Sequence, residues 1–336
     1  MVWYGVIALS TLYEHPIQQN HFEPFGDPDN EDFFQRQALE WYGRSLRAAQ
    51  NPDSRSSPLL TLNTFILAGV EMLQGRPTTG LKLMFQAFQI NQGDENACSA
   101  DKEILEAVLP YMFRSLLPLS IFGFELSEDV RARAKLHPNN NGASTEATVL
   151  RMMTELYDVA YQVQRFCNSS SMIAPDDAAE ARRETLIEQM FQWRSAVEES
   201  GVMSCTGELR RFVSQQLVVW NSAVIRLRCL WETSLGVFDT HEEHFQNIVD
   251  EAARCLAFSD ISERKIPFDI AVVPCLFYAT WACRKPSIRR KALSLLKDRA
   301  PREEHLWTAD ACIHVMQSVI AAEEGTDGFV PEIKMV

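Results

Sequence analysis

Residues 209–231 read LRRFVSQQLVVWNSAVIRLRCLW, and their apolar members Leu209, Phe212, Val213, Leu217, Trp220, Val224, Leu227 and Trp231 recur mostly at steps of three and four. A helix turns once in about 3.6 residues, so this spacing places them on one stripe of a long amphipathic α-helix. The same rhythm returns in Leu150, Met153, Tyr157, Tyr161 and Phe166, and again in Ile288, Leu293, Leu295 and Leu296. Strict alternation of apolar and polar residues, the mark of a half-buried strand, is almost absent. The pattern predicts an all-α fold, an irregular array of antiparallel helical hairpins resembling a solenoid-like helical bundle.

Helix boundaries are written in the same chain. Gly75, Arg76 and Pro77 set a helix-ending glycine beside a proline suited to the first turn of the next helix, which predicts a tight helical hairpin. Turn formers gather at residues 21–30 (HFEPFGDPDN), 137–144 (HPNNNGAS) and 168–177 (NSSSMIAPDD), and these are read as loops. None has the length of an interdomain linker. Residues 1–336 are therefore read as one helical domain with a soft division near 140.

Composition sets further bounds. With 336 residues, 46% of them hydrophobic, the chain can bury a sizeable core. Its net charge of −13 opposes a polyanion, because nucleic-acid affinity comes largely from lysine and arginine neutralising phosphates. The cysteines at 98, 167, 205, 229, 255, 275, 283 and 312 include no Cys-x-x-Cys pair and fall mostly in apolar helical runs. That distribution suits reduced, buried thiols and a nuclear or cytoplasmic setting. Residues 1–14 lack a basic leader and a small-residue cleavage site, so no secretory signal is expected, and no stretch reaches the roughly 18 apolar residues that span a bilayer.

At the C-terminal end, residues 268–325 read FDIAVVPCLFYATWACRKPSIRRKALSLLKDRAPREEHLWTADACIHVMQSVIAAEEG. This predicts an apolar helix ending in Cys283 and Arg284, a basic helix started by Pro286, and a third helix opening across Glu303, Glu304, His305, Leu306 and Trp307. Residues 1–14 (MVWYGVIALSTLYE), 38–48 (ALEWYGRSLRA, with Tyr42 and Arg47) and 59–90 (with Glu71, Gly75, Gly80 and Leu81) form further helical blocks. In this order the blocks resemble the regulatory domain of fungal zinc-cluster transcription factors. His305 departs from the pattern, since the family often has glycine before Leu-Trp. Between residues 91 and 260 only the general helical character matches. The resemblance implies an all-α regulatory domain, with Arg284 ending its helix against a carboxylate or helix carbonyls and Trp307 buried as a packing device. Such proteins begin with a zinc module of six closely spaced cysteines, and these residues contain none.

Several clusters invite a chemical reading. His241 and His244 stand one turn apart, the geometry of a metal pair, but no third ligand lies at a recognisable spacing, and a solvated first turn capped by Asp239 or Thr240 is the expectation. Asp176, Asp177 and Glu180 resemble an aspartate-rich motif of helical terpene cyclases, although acidic residues also cap helix starts. Glu71, Arg226 and Arg228 are charges on otherwise apolar elements and are the candidate pocket-lining residues, because a charge withdrawn from water needs a partner. The basic run 287–291 (SIRRK) reads as a solvated face or as an internal partner for acidic surface. No catalytic residue, metal or cofactor is assigned.

The functional expectation is a regulator acting in the nucleus or cytoplasm through a small-molecule effector or through a DNA-binding or transcription-machinery protein, within fungal secondary metabolism. The alternative is a family member recruited as an enzyme, a cyclase or isomerase of a natural-product pathway. Neither reading involves direct nucleic-acid or membrane binding. The isolated chain should therefore show no sequence-specific retention of duplex DNA at physiological salt in a mobility-shift assay, and tight specific retention would contradict the charge argument.

Overall fold

The computed structural model describes residues 1–15, 28–51, 57–90, 98–114, 144–170, 175–232, 234–257, 272–300, 303–304 and 307–324. Among them are twelve α-helices and one minimal strand pair, so the all-α class expected from periodicity is correct. The loop at 137–143, residues 21–27 and His305 lie outside the described residues. The chain divides into two compact units, one carrying helices from residues 1–114 and the other helices from residues 144–324.

The first unit contains α1 (Val2–Glu14), α2 (Pro28–Gln50), α3 (Ser57–Leu73), α4 (Pro77–Ile90) and α5 (Ser99–Arg114). Small residues let α1 lie close to its neighbours. Gly5, Ala8 and Leu12 form its buried face, and a Cβ on Gly5 would stand 3.2 Å from Asn63 Oδ1 on α3. Around that crossing, Ser45 Oγ of α2 lies 2.8 Å from Asn63 Oδ1 and 3.1 Å from the Met1 carbonyl oxygen. Ala8, Leu12, Ala38 and Val70 form an apolar cluster, with Trp41, Tyr42 and Leu73 packed against it.

Between α3 and α4 the backbone closes as the glycine-proline signal requires. Gly75 has a φ of 71°, its N–H donates to the Met72 carbonyl at 3.0 Å, and the Arg76 N–H donates to the Glu71 carbonyl at 2.9 Å. These paired bonds satisfy the last carbonyls of α3 and stop the helix. The two helices then cross so closely that a Cβ on Gly80 would stand 2.6 Å from Met72 Cγ and 2.8 Å from the Ala68 carbonyl oxygen.

The second unit contains α6 (Thr145–Ser170), α7 (Asp177–Glu199), α8 (Gly207–Arg228), α9 (Glu242–Ala257), α10 (Val272–Ala282), α11 (Pro286–Asp298) and α12 (Ala309–Glu324). Short 3-10 turns, Val202–Ser204 and Leu235–His241, precede α8 and α9. Helix α8 is the centre, packed by α6, α7, α9 and α10. The one-sided stripe expected of it is replaced by burial on every side: residues 213–225 are all buried, including Ser214, Gln215, Gln216, Asn221 and Ser222. Neighbours on all faces override the amphipathic expectation, and two of the polar side chains, Asn221 and Ser222, return their bonds to the helix itself. Asn221 Nδ2 donates to the Leu217 carbonyl at 2.7 Å and Ser222 Oγ to the Val218 carbonyl at 3.0 Å.

Indole donors tie the surrounding helices together. Trp220 Nε1 of α8 donates to the Met190 carbonyl of α7 at 2.7 Å, and Trp193 Nε1 of α7 donates to the Met152 carbonyl of α6 at 2.8 Å. Trp231 Nε1 reaches the Ser170 carbonyl at 3.1 Å, serving one of the unpaired carbonyls where α6 ends. Helix α6 runs through Ser170, so residues 168–170, expected in a loop, are helical. Helix α9 has the plainest amphipathic stripe of the unit, with Phe245, Ile248, Val249, Ala252, Cys255 and Leu256 turned inward.

The C-terminal block departs from its expected outline at one point. The apolar helix ends at Ala282, and Pro286 opens α11 as anticipated. The third helix, however, begins at Ala309, because Glu303–Glu304 and Trp307–Thr308 form an antiparallel pair with Glu304 opposite Trp307. A proline disfavours helical geometry at the residue before it, and residues 303–304 and 307–308 meet backbone hydrogen-bonding needs by pairing with each other.

The α3–α4 crossing gives a paired test. Gly80→Ala should destabilise the protein by about 1–3 kcal/mol, since the new methyl meets a carbonyl oxygen that cannot rotate away. Gly43→Ala, in the middle of α2 with nothing within 4 Å of the added carbon, should instead stabilise by about 0.5–1 kcal/mol. Urea unfolding of both variants against wild type checks the opposite signs.

Candidate functional site

At its C-terminal end α8 presents two arginines that diverge. Basic groups belong here electrostatically, because the last carbonyls of a helix carry partial negative charge. Arg226 turns toward α6, where one guanidinium nitrogen donates to Gln164 Oε1. Gln164 is buried, and its amide nitrogen donates in turn to Asn168 Oδ1 at 3.1 Å, which orients the oxygen that Arg226 uses. Arg226 also acts on the Cys167 thiol of α6 and the Tyr278 phenol of α10. Burial raises both groups above their ordinary values, and the nearby Arg226 charge only partly offsets this. Burial likewise pushes the Cys229 thiol up to about 12. The arginine therefore faces neutral hydrogen-bonding groups, and no carboxylate pairs with it among the described residues.

Arg228 turns the other way, with its guanidinium carbon 5.2 Å from the centre of the Phe191 ring. It lies near the two histidines singled out from sequence. His241 is buried, not solvated as expected, because the 3-10 turn carries it inward before α9 begins. His244 is half-buried, with Nδ1 2.9 Å from Asn221 Oδ1. Since the Asn221 amide nitrogen already donates to a carbonyl, its oxygen is an acceptor here, which assigns the His244 proton to Nδ1. Burial lowers both imidazoles below the ordinary histidine value, and the Arg228 charge lowers them further. The pair is held neutral beside a cation. Among the described residues, no three His, Cys, Asp or Glu side chains form a group that could hold a metal ion.

Glu71 belongs to the first unit and is 3% exposed. Arg76 Nε lies 3.2 Å from Glu71 Oε2, within ion-pair range but off the line of a hydrogen bond. The carboxylate also meets Tyr42, whose phenol is pushed up to about 12 by burial, by its hydrogen bond to Glu71 and by the Glu71 charge. Both side-chain polar atoms of nearby Gln74 are buried without a hydrogen-bond partner. Glu71 thus joins the α3 terminus to Tyr42 of α2, while Arg226 and Arg228 belong to the second unit.

The remaining marked residues each have partners within the second unit. Arg284, in the turn after α10, pairs with Asp239 Oδ2 at 2.8 Å. Trp307 is half-buried and not fully buried as expected, and its ring centre lies 5.4 Å from that of Phe277 on α10. In the basic run of α11, Arg289 is fully enclosed, with Nε donating to the Thr280 carbonyl at 2.9 Å and Nη2 to Glu323 of α12 at 2.8 Å. Lys291 pairs with Asp250 of α9 at 2.7 Å, so part of this run partners acidic residues within the unit. Asp176 is the α7 N-cap, accepting the Ala179 N–H at 2.7 Å.

Sequence reasoning missed Gln164 and Tyr278 as neighbours of Arg226. Each sits on a different helix and looks like an ordinary core residue in its own segment; only the helix packing brings them to the arginine. Comparison of the chain with protein-family models, curated proteins and solved structures finds no match.

The neutral histidines make stability depend on pH. Their folded values lie below the ordinary 6.5, so as pH falls through 6.5 the unfolded chain takes up protons that the folded protein refuses. Stability should be highest above that value and decline below it until the folded histidines also protonate. His244→Gln, which can keep a bond to Asn221, should flatten part of the slope in urea-unfolding midpoints measured across this range.

Proposed function

We propose that this chain is an effector-responsive regulatory domain of the kind found in fungal zinc-cluster transcription factors, influencing transcription through a bound small molecule or a partner protein without contacting DNA itself. Support from sequence comes from the ordered blocks at residues 1–14, 38–48, 59–90 and 268–325, which resemble that family's regulatory domain. Net negative charge supports a role away from phosphate backbones. All eight cysteines are free thiols, in keeping with a reducing nuclear or cytoplasmic setting.

The observation that carries the effector reading is Arg226. Packed helices shift between discrete arrangements, and a ligand that binds one arrangement better moves the balance by its differential affinity. The effector reading draws support from a charged side chain on the central helix that bonds to α6 and acts on Tyr278 of α10. No described helix is long and apolar enough to cross a membrane.

Tethering supplies the test. Fused to an unrelated DNA-binding domain in a fungal host, the chain should change transcription of a reporter several-fold relative to the DNA-binding domain alone. A properly folded fusion that leaves the reporter unchanged in every growth condition would remove this reading.

A further inference from the structure

Arginines across the second unit are matched to carboxylates wherever they are withdrawn from water. Arg210 reaches Glu251 at 3.2 Å, Arg211 reaches Glu208 at 3.0 Å, Arg284 reaches Asp239 at 2.8 Å and Arg289 reaches Glu323 at 2.8 Å. Arg226 breaks the rule. It is half-buried, and its one hydrogen-bonding partner among the described residues is the neutral amide of Gln164. A guanidinium offers five N–H donors in a planar fork, so most of its donor capacity is uncommitted.

We propose that Arg226, supported by Gln164 and Tyr278, binds the carboxylate of a small monoanionic organic molecule, which identifies the chemical class of effector in the regulatory reading above and rests on that reading for its biological role. The fork accepts a carboxylate through two parallel N–H···O bonds, a geometry that a lysine would not offer. Gln164 fixes the direction of the fork, because its own amide is tied to Asn168. The Tyr278 phenol remains a hydroxyl donor rather than a competing anion, since burial keeps it protonated. Charge decides against other ligands. A dianion such as sulfate would leave one negative charge without a matching cation, and a cationic ligand would meet Arg226 with no carboxylate beside it. Tyr278 also belongs to a ring cluster, 6.0 Å from Phe245 and 6.3 Å from Trp281 by ring centres, so an aromatic body on the carboxylate has apolar surface nearby.

Acetate and benzoate are suitable probes, titrated into the full chain at constant ionic strength with chloride and sulfate as comparisons. Ligand-observed NMR should show saturable binding of at least one carboxylate, with a rise in melting temperature that neither comparison salt reproduces. Arg226→Gln should weaken that binding by about tenfold or more, Tyr278→Phe should weaken it less, and Arg151→Gln on the exposed face of α6 should leave it unchanged. Failure of both carboxylates to bind wild type, equal stabilisation by sulfate, or unaltered binding to Arg226→Gln would each overturn the proposal. If Arg226→Gln does not fold, unaltered binding to Tyr278→Phe would do so as well. An active tethered reporter combined with no carboxylate binding would refute this site while leaving the regulatory reading intact, and saturable binding with a silent reporter would do the reverse.

Discussion

Helix α8 lacks a solvent face over residues 213–225, and much of the second unit follows from that constraint. A polar side chain on a helix enclosed on all sides can be satisfied only from within the protein, and an unpaired buried polar group costs about 1–3 kcal/mol; Ser214 Oγ and Gln216 Nε2 are left without a hydrogen-bond partner. Asn221 and Ser222 answer by bonding to carbonyls one turn back, and Trp220 does so by reaching a carbonyl of α7. Asn221 then has an oxygen left over, and His244 occupies it. One side chain thereby joins α8 to α9 and fixes the histidine's proton.

Charge is distributed by a related logic. Exposed pairs within one helix, such as Arg151 with Glu155 or Arg194 with Glu198, contribute little because water screens them. The informative pairs connect helices. Arg289 is buried between α10 and α12 and would leave an uncompensated charge if Glu323 were removed, whereas Arg210 and Arg254 share the buried Glu251. Against this background an arginine bonded only to an amide stands out. Among the described residues Arg226 differs from Arg210, Arg284 and Arg289 in having no carboxylate partner from another element.

In the first unit backbone geometry plays the comparable role. The left-handed Gly75 closes α3, Pro77 opens α4, and Gly80 removes the side chain that would otherwise hold the two helices apart. Glu71 contributes at both levels. Its backbone carbonyl accepts the bond that ends the helix, and its carboxylate anchors Tyr42 near the same turn.

The sequence alone determined the helical class, the α3–α4 turn and the starts of α7 and α11, because periodicity, caps, glycine and proline act over a few neighbouring residues. It also marked Glu71, Arg226 and Arg228 as unusual, since a charge within an apolar run is visible locally. Tertiary packing decided the rest. Only the arrangement of helices could turn an apparent stripe on α8 into all-round burial, draw His241 inward, or place Trp307 on a short strand against Phe277. Packing also distinguished Arg289, which meets Glu323, from Arg226, which meets Gln164. A charge's partner is set by which helices adjoin it, and these contacts span 34 and 62 residues of sequence, far beyond the reach of local pattern.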